Sequence, residues 1–257
     1  MSMARNFLKD VSAMVELEVR RLTHDRKEIY SRAVQPILWL AIFGTVLSTI
    51  NAIPTGSISY LDFITPGVIV QSTTFTATIF GLTIVWERES GILKKLLTTP
   101  ATRYSIVIGR SFASAPRTLL QAVIIIPVAL ILGVTFVVNP LYIVLAVLII
   151  IFLSAGFAAM SLIIASFLKT RERFMGIVQA ISLPLFFASS ALYPISIMPP
   201  ILQTFSAFNP VSYSVDALRG LMITGSVAGL PMDLVAIAVF DIAMFALASV
   251  SFKRIIE

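Results

Sequence analysis

Few residues of this chain are of a kind that could do covalent chemistry. His24 is the single histidine and there is no cysteine, so no thiolate site, disulfide or histidine–carboxylate cluster can be assembled. No Gly-Lys dipeptide occurs, which excludes a G-x-x-x-x-G-K-[ST] phosphate loop and ATP hydrolysis by it. No nucleophile has a base and an orienting acid to activate it. No catalytic residue, cofactor or metal is therefore expected on this chain. What remains is a set of polar groups set into apolar runs. Gln71, Thr74 and Thr78 follow helical spacing and share one face with other hydroxyls nearby; they suit either a polar pathway or contacts between helices. Asp241 interrupts the last apolar run. An aspartate at the centre of a membrane helix costs about 2.5–3.5 kcal/mol, so a bundle interior or wet cavity is expected around it. Its role is either a substrate or proton contact, or a structural hydrogen bond to Gln71, Gln121 or Gln179.

The elements that must position these groups are set by composition. Hydrophobic residues make up 58% of the 257 and charged ones 12%, whereas a soluble domain carries about 25% charged residues. Runs long enough to cross a bilayer, which takes about 20 residues, can be drawn at 33–50, 63–85, 118–138, 141–168, 175–192 and 234–252. The Asn139-Pro140 dipeptide predicts a tight hairpin between the third and fourth. Gly156 predicts tilt or a bend in the long fourth segment. Pro66, Pro127 and Pro184 fall inside spans, where neighbouring helices can satisfy the freed carbonyls.

The net charge of +6 would suit nucleic acid if the bases formed a patch, but they are distributed by topology. Of the 19 Lys and Arg residues, all but Arg219 lie before the first run, between the second and third, between the fourth and fifth, or after the sixth. That bias places both termini in the cytoplasm of a multi-pass protein of the cell membrane and predicts no nucleic-acid partner.

Three connections carry further information. In residues 1–32, Leu8, Val11, Val15, Val19 and Leu22 form one narrow helical face, fit to lie in the lipid headgroup layer or to pack on another chain. In residues 86–117, Trp86 is placed as an interfacial anchor, and Ile92, Leu93, Leu96 and Leu97 form an apolar stripe ended by Pro100. This short amphipathic helix suits a groove on a partner protein or the lipid surface. In residues 193–233, repeated prolines among apolar residues predict short helices dipping into the outer leaflet, with Asp216 and Arg219 spaced to pair.

Together these residues resemble the type-2 class of ABC transporter permeases, in the branch exporting drugs, lipids and polysaccharides. The likeness rests on Asp62-Phe63-Ile64-Thr65-Pro66-Gly67, on Glu87-Arg88-Glu89-Ser90-Gly91 leading to Thr99-Pro100, and on Asn209-Pro210-Val211-Ser212-Tyr213 leading to Asp216-Ala217-Leu218-Arg219. It covers nearly the whole chain. The resemblance implies an all-α integral membrane permease of one domain, residues 1–257, with six spans, acting as a homodimer. It implies two copies of a separate ATPase chain, which would hold the ATP and magnesium. Glu87, Arg88, Glu89, Gly91, Ile92, Leu93, Leu96, Leu97 and Pro100 would form the coupling helix seated on that ATPase, with Arg171 and Glu172 in a second contact. Residues 193–233, with Asn209, Pro210, Asp216 and Arg219, would close the exit. The alternative function is an ion-coupled secondary transporter, which needs a midplane site repeated in both halves; one intramembrane carboxylate without such a repeat fits it less well.

Overall fold

A computed structural model describes residues 2–24, 33–50, 53–90, 103–168 and 170–252. Among these residues the chain is helical and has no strand. Helix α1 spans Ser2–His24 and α2 spans Ala33–Thr49, with a π-helical stretch at Trp39–Gly44. Helices α3 (Tyr60–Ile79) and α4 (Leu82–Glu89) follow, then α5 (Arg103–Phe112) and α6 (Ala115–Ile131). Next come α7 (Pro140–Phe167) and α8 (Arg171–Phe187). Two short helices, α9 (Pro200–Ala207) and α10 (Pro210–Arg219), precede the last, α11 (Leu230–Ser251).

Among the described residues, four stretches are long and apolar enough to cross a membrane: Tyr60–Glu87, Tyr104–Ile131, Pro140–Phe167 and Leu230–Ser251. The protein is a multi-pass membrane protein. At 1.5 Å per residue, the 28 residues of α7 reach about 42 Å, more than a bilayer core needs without tilt. Helix α2 is shorter than these four, and α8 has 17 residues with Pro184 inside.

Helix α3 is the centre of the bundle. It is buried along almost its whole length, as expected of a helix enclosed by others. It packs on α7, α6, α10, α2 and α8. Its start is fixed by a reciprocal cap: Ser59 Oγ accepts from the Asp62 amide at 3.0 Å and donates to Asp62 Oδ2 at 2.7 Å. Asp62 Oδ1 also accepts from the Thr135 amide at 3.1 Å, which anchors the connection between α6 and α7.

The helical boundaries depart from the apolar runs in an instructive way. The third run was expected at 118–138, yet continuous helical structure begins at Arg103, and α6 ends at Ile131. The early start includes Arg110 and Arg117, whose charges are met by Glu87 and Glu18. The early stop occurs at Gly133, whose φ of +95° favours glycine. The expected tight hairpin is therefore a longer connection, Leu132–Asn139, although Asn139 does cap α7 by accepting from the Leu141 amide at 2.9 Å.

Helix α1 packs on α5 and α6 of its own chain, where the sequence pointed to lipid or another chain. The contact uses Val11 and Met14 against Gly109 and buried Glu18 against Arg117. Val19, expected on the apolar face, stays 43% exposed. The stripe of Leu8, Val11, Val15, Val19 and Leu22 leaves out Met14 and Glu18, which with Val11 make the contact.

Candidate functional site

The polar face of α3 divides into a packed half and an open half. Gln121 of α6 accepts through Oε1 from Ser72 and from Thr76, the latter at 2.8 Å. Such bonds between membrane helices are worth about 0.6–1 kcal/mol each. Beside them, Gln35, Gln71, Ser72, Thr76 and Gln121 line a groove of about 210 Å³ between α2, α3 and α6. A smaller recess adjoins it, lined by Gln35, Gln71, Thr74 and Ser182. The hydroxyls of Thr74 and Ser182 are buried without a hydrogen-bond partner among the described residues. Thr78, expected on the same face, is fully buried and donates to the Thr74 carbonyl at 2.6 Å. The structure thus brings Gln71 and Thr74 to a groove and leaves Thr78 in helix packing. Gln35 had escaped notice, although a glutamine beside Pro36 at the head of an apolar run was a readable signal.

Toward the end of the bundle rich in basic residues, a second cleft of about 290 Å³ continues from the groove through Thr76 and Ile79. Phe80, Leu82, Trp86, Arg117 and Arg171 line it. The Arg171 guanidinium lies 5.9 Å from the centre of the Trp86 ring, and that of Arg117 lies 5.9 Å from the Phe80 ring. Both are within cation–π range. Glu172 is exposed at the start of α8.

Glu87 closes this end of α4. Its Oε2 accepts from Arg110 Nη2 of α5 at 2.6 Å, and both side chains are about nine-tenths buried. The pair joins the two helices that flank residues 91–102. Arg88 and Glu89 lie in α4. The expected docking stripe, with Gly91, Ile92, Leu93, Leu96, Leu97 and Pro100, lies outside the described residues.

At the opposite end, residues 193–233 form short helices, as their prolines predicted. Asn209 caps α10 by accepting from the Val211 amide at 3.0 Å, with Pro210 as the first helical residue. Its amide nitrogen donates to the carbonyls of Leu185 at 2.6 Å and Ala188 at 3.0 Å, which ties α10 to the end of α8. Arg219 and Asp216 do pair, at 2.8 Å. Arg219 further donates to the carbonyls of Ser190 at 2.7 Å and Phe63 at 3.1 Å, with its guanidinium 3.7 Å from the Phe63 ring centre. Burial pushes the Asp216 carboxyl up, while Arg219 and the Ser190 hydroxyl pull it back down. This arginine fastens α10, α3 and the turn at Ser190 together, a reach that its spacing from Asp216 did not disclose.

Asp241 is 3% exposed on the face of α11 that meets α7. Neither carboxylate oxygen has a hydrogen-bond partner among the described residues. The expected glutamine donor is not used: Gln121 serves Ser72 and Thr76, and Gln179 is exposed. The carboxylate rests instead against Gly156, where an added Cβ would overlap its Oδ1. Gly156 supplies room for Asp241.

Comparison with known proteins gives the family. The chain is 29% identical over 220 residues to ycf38 of Porphyra purpurea, named a transport permease, covering 82% of this chain and 73% of that one. It is 28% identical over 229 residues to DrrC of Mycobacterium tuberculosis (strain ATCC 25618 / H37Rv), named a doxorubicin resistance ABC transporter permease protein, covering 87% and 80%. Nodulation protein J of Rhizobium leguminosarum bv. viciae is 24% identical over 228 residues, covering 88% and 86%. The family match, described as ABC-2 type transporter, spans residues 9–223. The chain belongs to the ABC-2 type transporter family and is a membrane permease component of an ABC transporter.

Proposed function

We propose that this permease exports an amphiphilic or polymeric substrate, a drug, lipid or polysaccharide, using ATP hydrolysed by a separate subunit. Two copies of the chain form the pathway and two copies of the ATPase sit beneath them. The six apolar segments, including the shorter α2 and α8, all cross the cell membrane, and both termini face the cytoplasm. Residues 87–100 seat the ATPase, with Arg171 and Glu172 in a second contact. The groove at Gln71 and Thr74 is part of the route, and the assembly of α9 and α10, held by Asn209 and Arg219, closes its outer end.

The observation that carries this reading is the buried Glu87–Arg110 pair. It fixes the end of α4 to α5 on either side of the docking stripe, so a force applied there passes into the bundle. Helix α4 follows α3 with only Phe80 and Gly81 between them. ATP binding would favour one arrangement of the bundle through its differential contacts at that stripe. Co-expression with candidate ATPase chains and purification through a tag on the permease tests the reading. A stoichiometric complex is expected; a permease that purifies alone beside every candidate would overturn it.

A further inference from the structure

Buried hydroxyls on the helices of this chain are commonly answered by their own backbone. Thr65, Thr78, Ser111 and Ser161 each donate to a carbonyl three or four residues back, at 2.6–2.8 Å. Thr74 and Ser182 do not. Both residues are 5% exposed, and neither hydroxyl has a hydrogen-bond partner among the described residues. Thr73 shares that condition but lines neither the groove nor the recess beside it. Thr74 of α3 and Ser182 of α8 both line the recess, which holds about 30 Å³. A water-sized group needs about 10–15 Å³, so one small polar group fits there. Leu183, Phe186 and Val211 form the apolar side of the recess. Gln35, Gln71 and Phe75 line both the recess and the groove, so a group held at Thr74 and Ser182 can belong to a molecule lying in the groove.

We propose that Thr74 and Ser182 bind an alcohol hydroxyl of the transported molecule, which reaches the recess from the groove. The inference rests on the transporter reading and narrows the substrate to one with a hydroxyl beside an apolar portion. A serine or threonine hydroxyl donates one hydrogen bond and accepts others. The group that best satisfies two of them both donates and accepts, which an alcohol does and an ether does not. A buried hydroxyl without a partner destabilises the chain, and the arriving ligand removes that penalty. The recess therefore selects for a group that a plain hydrocarbon chain lacks.

Trp39 reports on the recess, because its ring meets that of Phe186 edge-on with centroids 6.1 Å apart. The chain has two tryptophans, and Trp86→Phe removes the other. The full chain carrying Trp86→Phe is reconstituted in nanodiscs of phosphatidylcholine, whose headgroup brings no hydroxyl, and Trp39 emission is followed. The probes are 1-dodecanol and its isomer 1-methoxyundecane, which match in length and differ in the hydroxyl proton. Dodecanol is expected to saturate the signal at about five-fold lower concentration, as one net hydrogen bond warrants. Thr74→Val and Ser182→Ala should each remove most of that preference, and Thr74→Ser should keep it. Without ligand, Thr74→Val and Ser182→Ala should melt at or above the parent, since the hydroxyl removed had no partner. A purely structural role would instead lower the melting midpoint and leave the preference unchanged. Superimposable curves for the alcohol and the ether, or a preference that survives both variants, would overturn the proposal. Lowered midpoints in both variants would also overturn it, because the hydroxyls would then have a permanent partner, an enclosed water included. The comparison of the two probes on the parent needs neither variant, so it stands if one of them does not fold. The titration requires no ATPase. Superimposable curves beside a purified complex remove the hydroxyl site alone, and a clear preference without a complex removes the coupling reading alone.

Discussion

Glu87 and Arg110 meet at 2.6 Å in a pair that is almost fully enclosed, one at the end of α4 and the other in α5. Removing one partner of a buried pair leaves the other charged and uncompensated, at a cost of about 3–5 kcal/mol. Glu87→Ala and Arg110→Ala should each lower the unfolding midpoint of the purified chain strongly. The double variant should lose less than the sum of the two. Additive losses would mean that the residues do not act as a pair.

Gly156 and Asp241 form the second contact with a clear mutational signature. Gly156→Ala places a methyl group where the carboxylate lies and should cost about 1–3 kcal/mol through overpacking. Adding Asp241→Ala should recover part of that loss, as read from melting curves in detergent. Asp241→Asn should be tolerated or stabilising, since the carboxylate has no hydrogen bond to lose among the described residues. A large loss of stability in Asp241→Asn would reveal a partner for the charged form.

Arg219 makes donor contacts to Asp216, Ser190 and Phe63 and stacks on the Phe63 ring. Lysine keeps the charge but not the planar fork. Arg219→Lys should therefore lose about 2 kcal/mol or more of stability. Near-native melting of the lysine variant would show that charge alone suffices there.

The chain has no cysteine, so single cysteines can be introduced without a background. Gln35→Cys and Gln71→Cys, on the groove, should react with a water-soluble thiol reagent. Thr78→Cys, in a fully buried position, should be protected. Equal rates at all three positions would contradict the division of α3 into an open and a packed half.

Composition and basic-residue placement were enough to read a multi-pass membrane protein, because hydropathy is a local property. The turn signal at Asn139-Pro140 was also local, but it was read as a tight hairpin, and neither Asn139 nor Asn209 was recognised as the helix cap that it is. What escaped was charge compensation over distance. Arg110 and Arg117 looked like residues of an aqueous loop, since no window in the sequence joins them to Glu87 or to Glu18, 99 positions away. The same blindness hid the direction of α1 and the cleft at Arg171. The Gly156–Asp241 contact is legible only once α7 and α11 lie side by side. Polar residues in the spans could be listed from the sequence, but not sorted into those that pack and those that face a groove.

Coupling to the ATPase is tested most directly by ATP hydrolysis in the reconstituted complex. The turnover of the wild-type complex is compared with that of a complex carrying Leu93→Asp and Leu96→Asp, two charges placed in the proposed docking stripe. The account predicts that the ATPase is stimulated by the wild-type permease and falls to the rate of the isolated subunit, or dissociates, with the variant. Unchanged stimulation by a stably assembled Leu93→Asp/Leu96→Asp permease would contradict it.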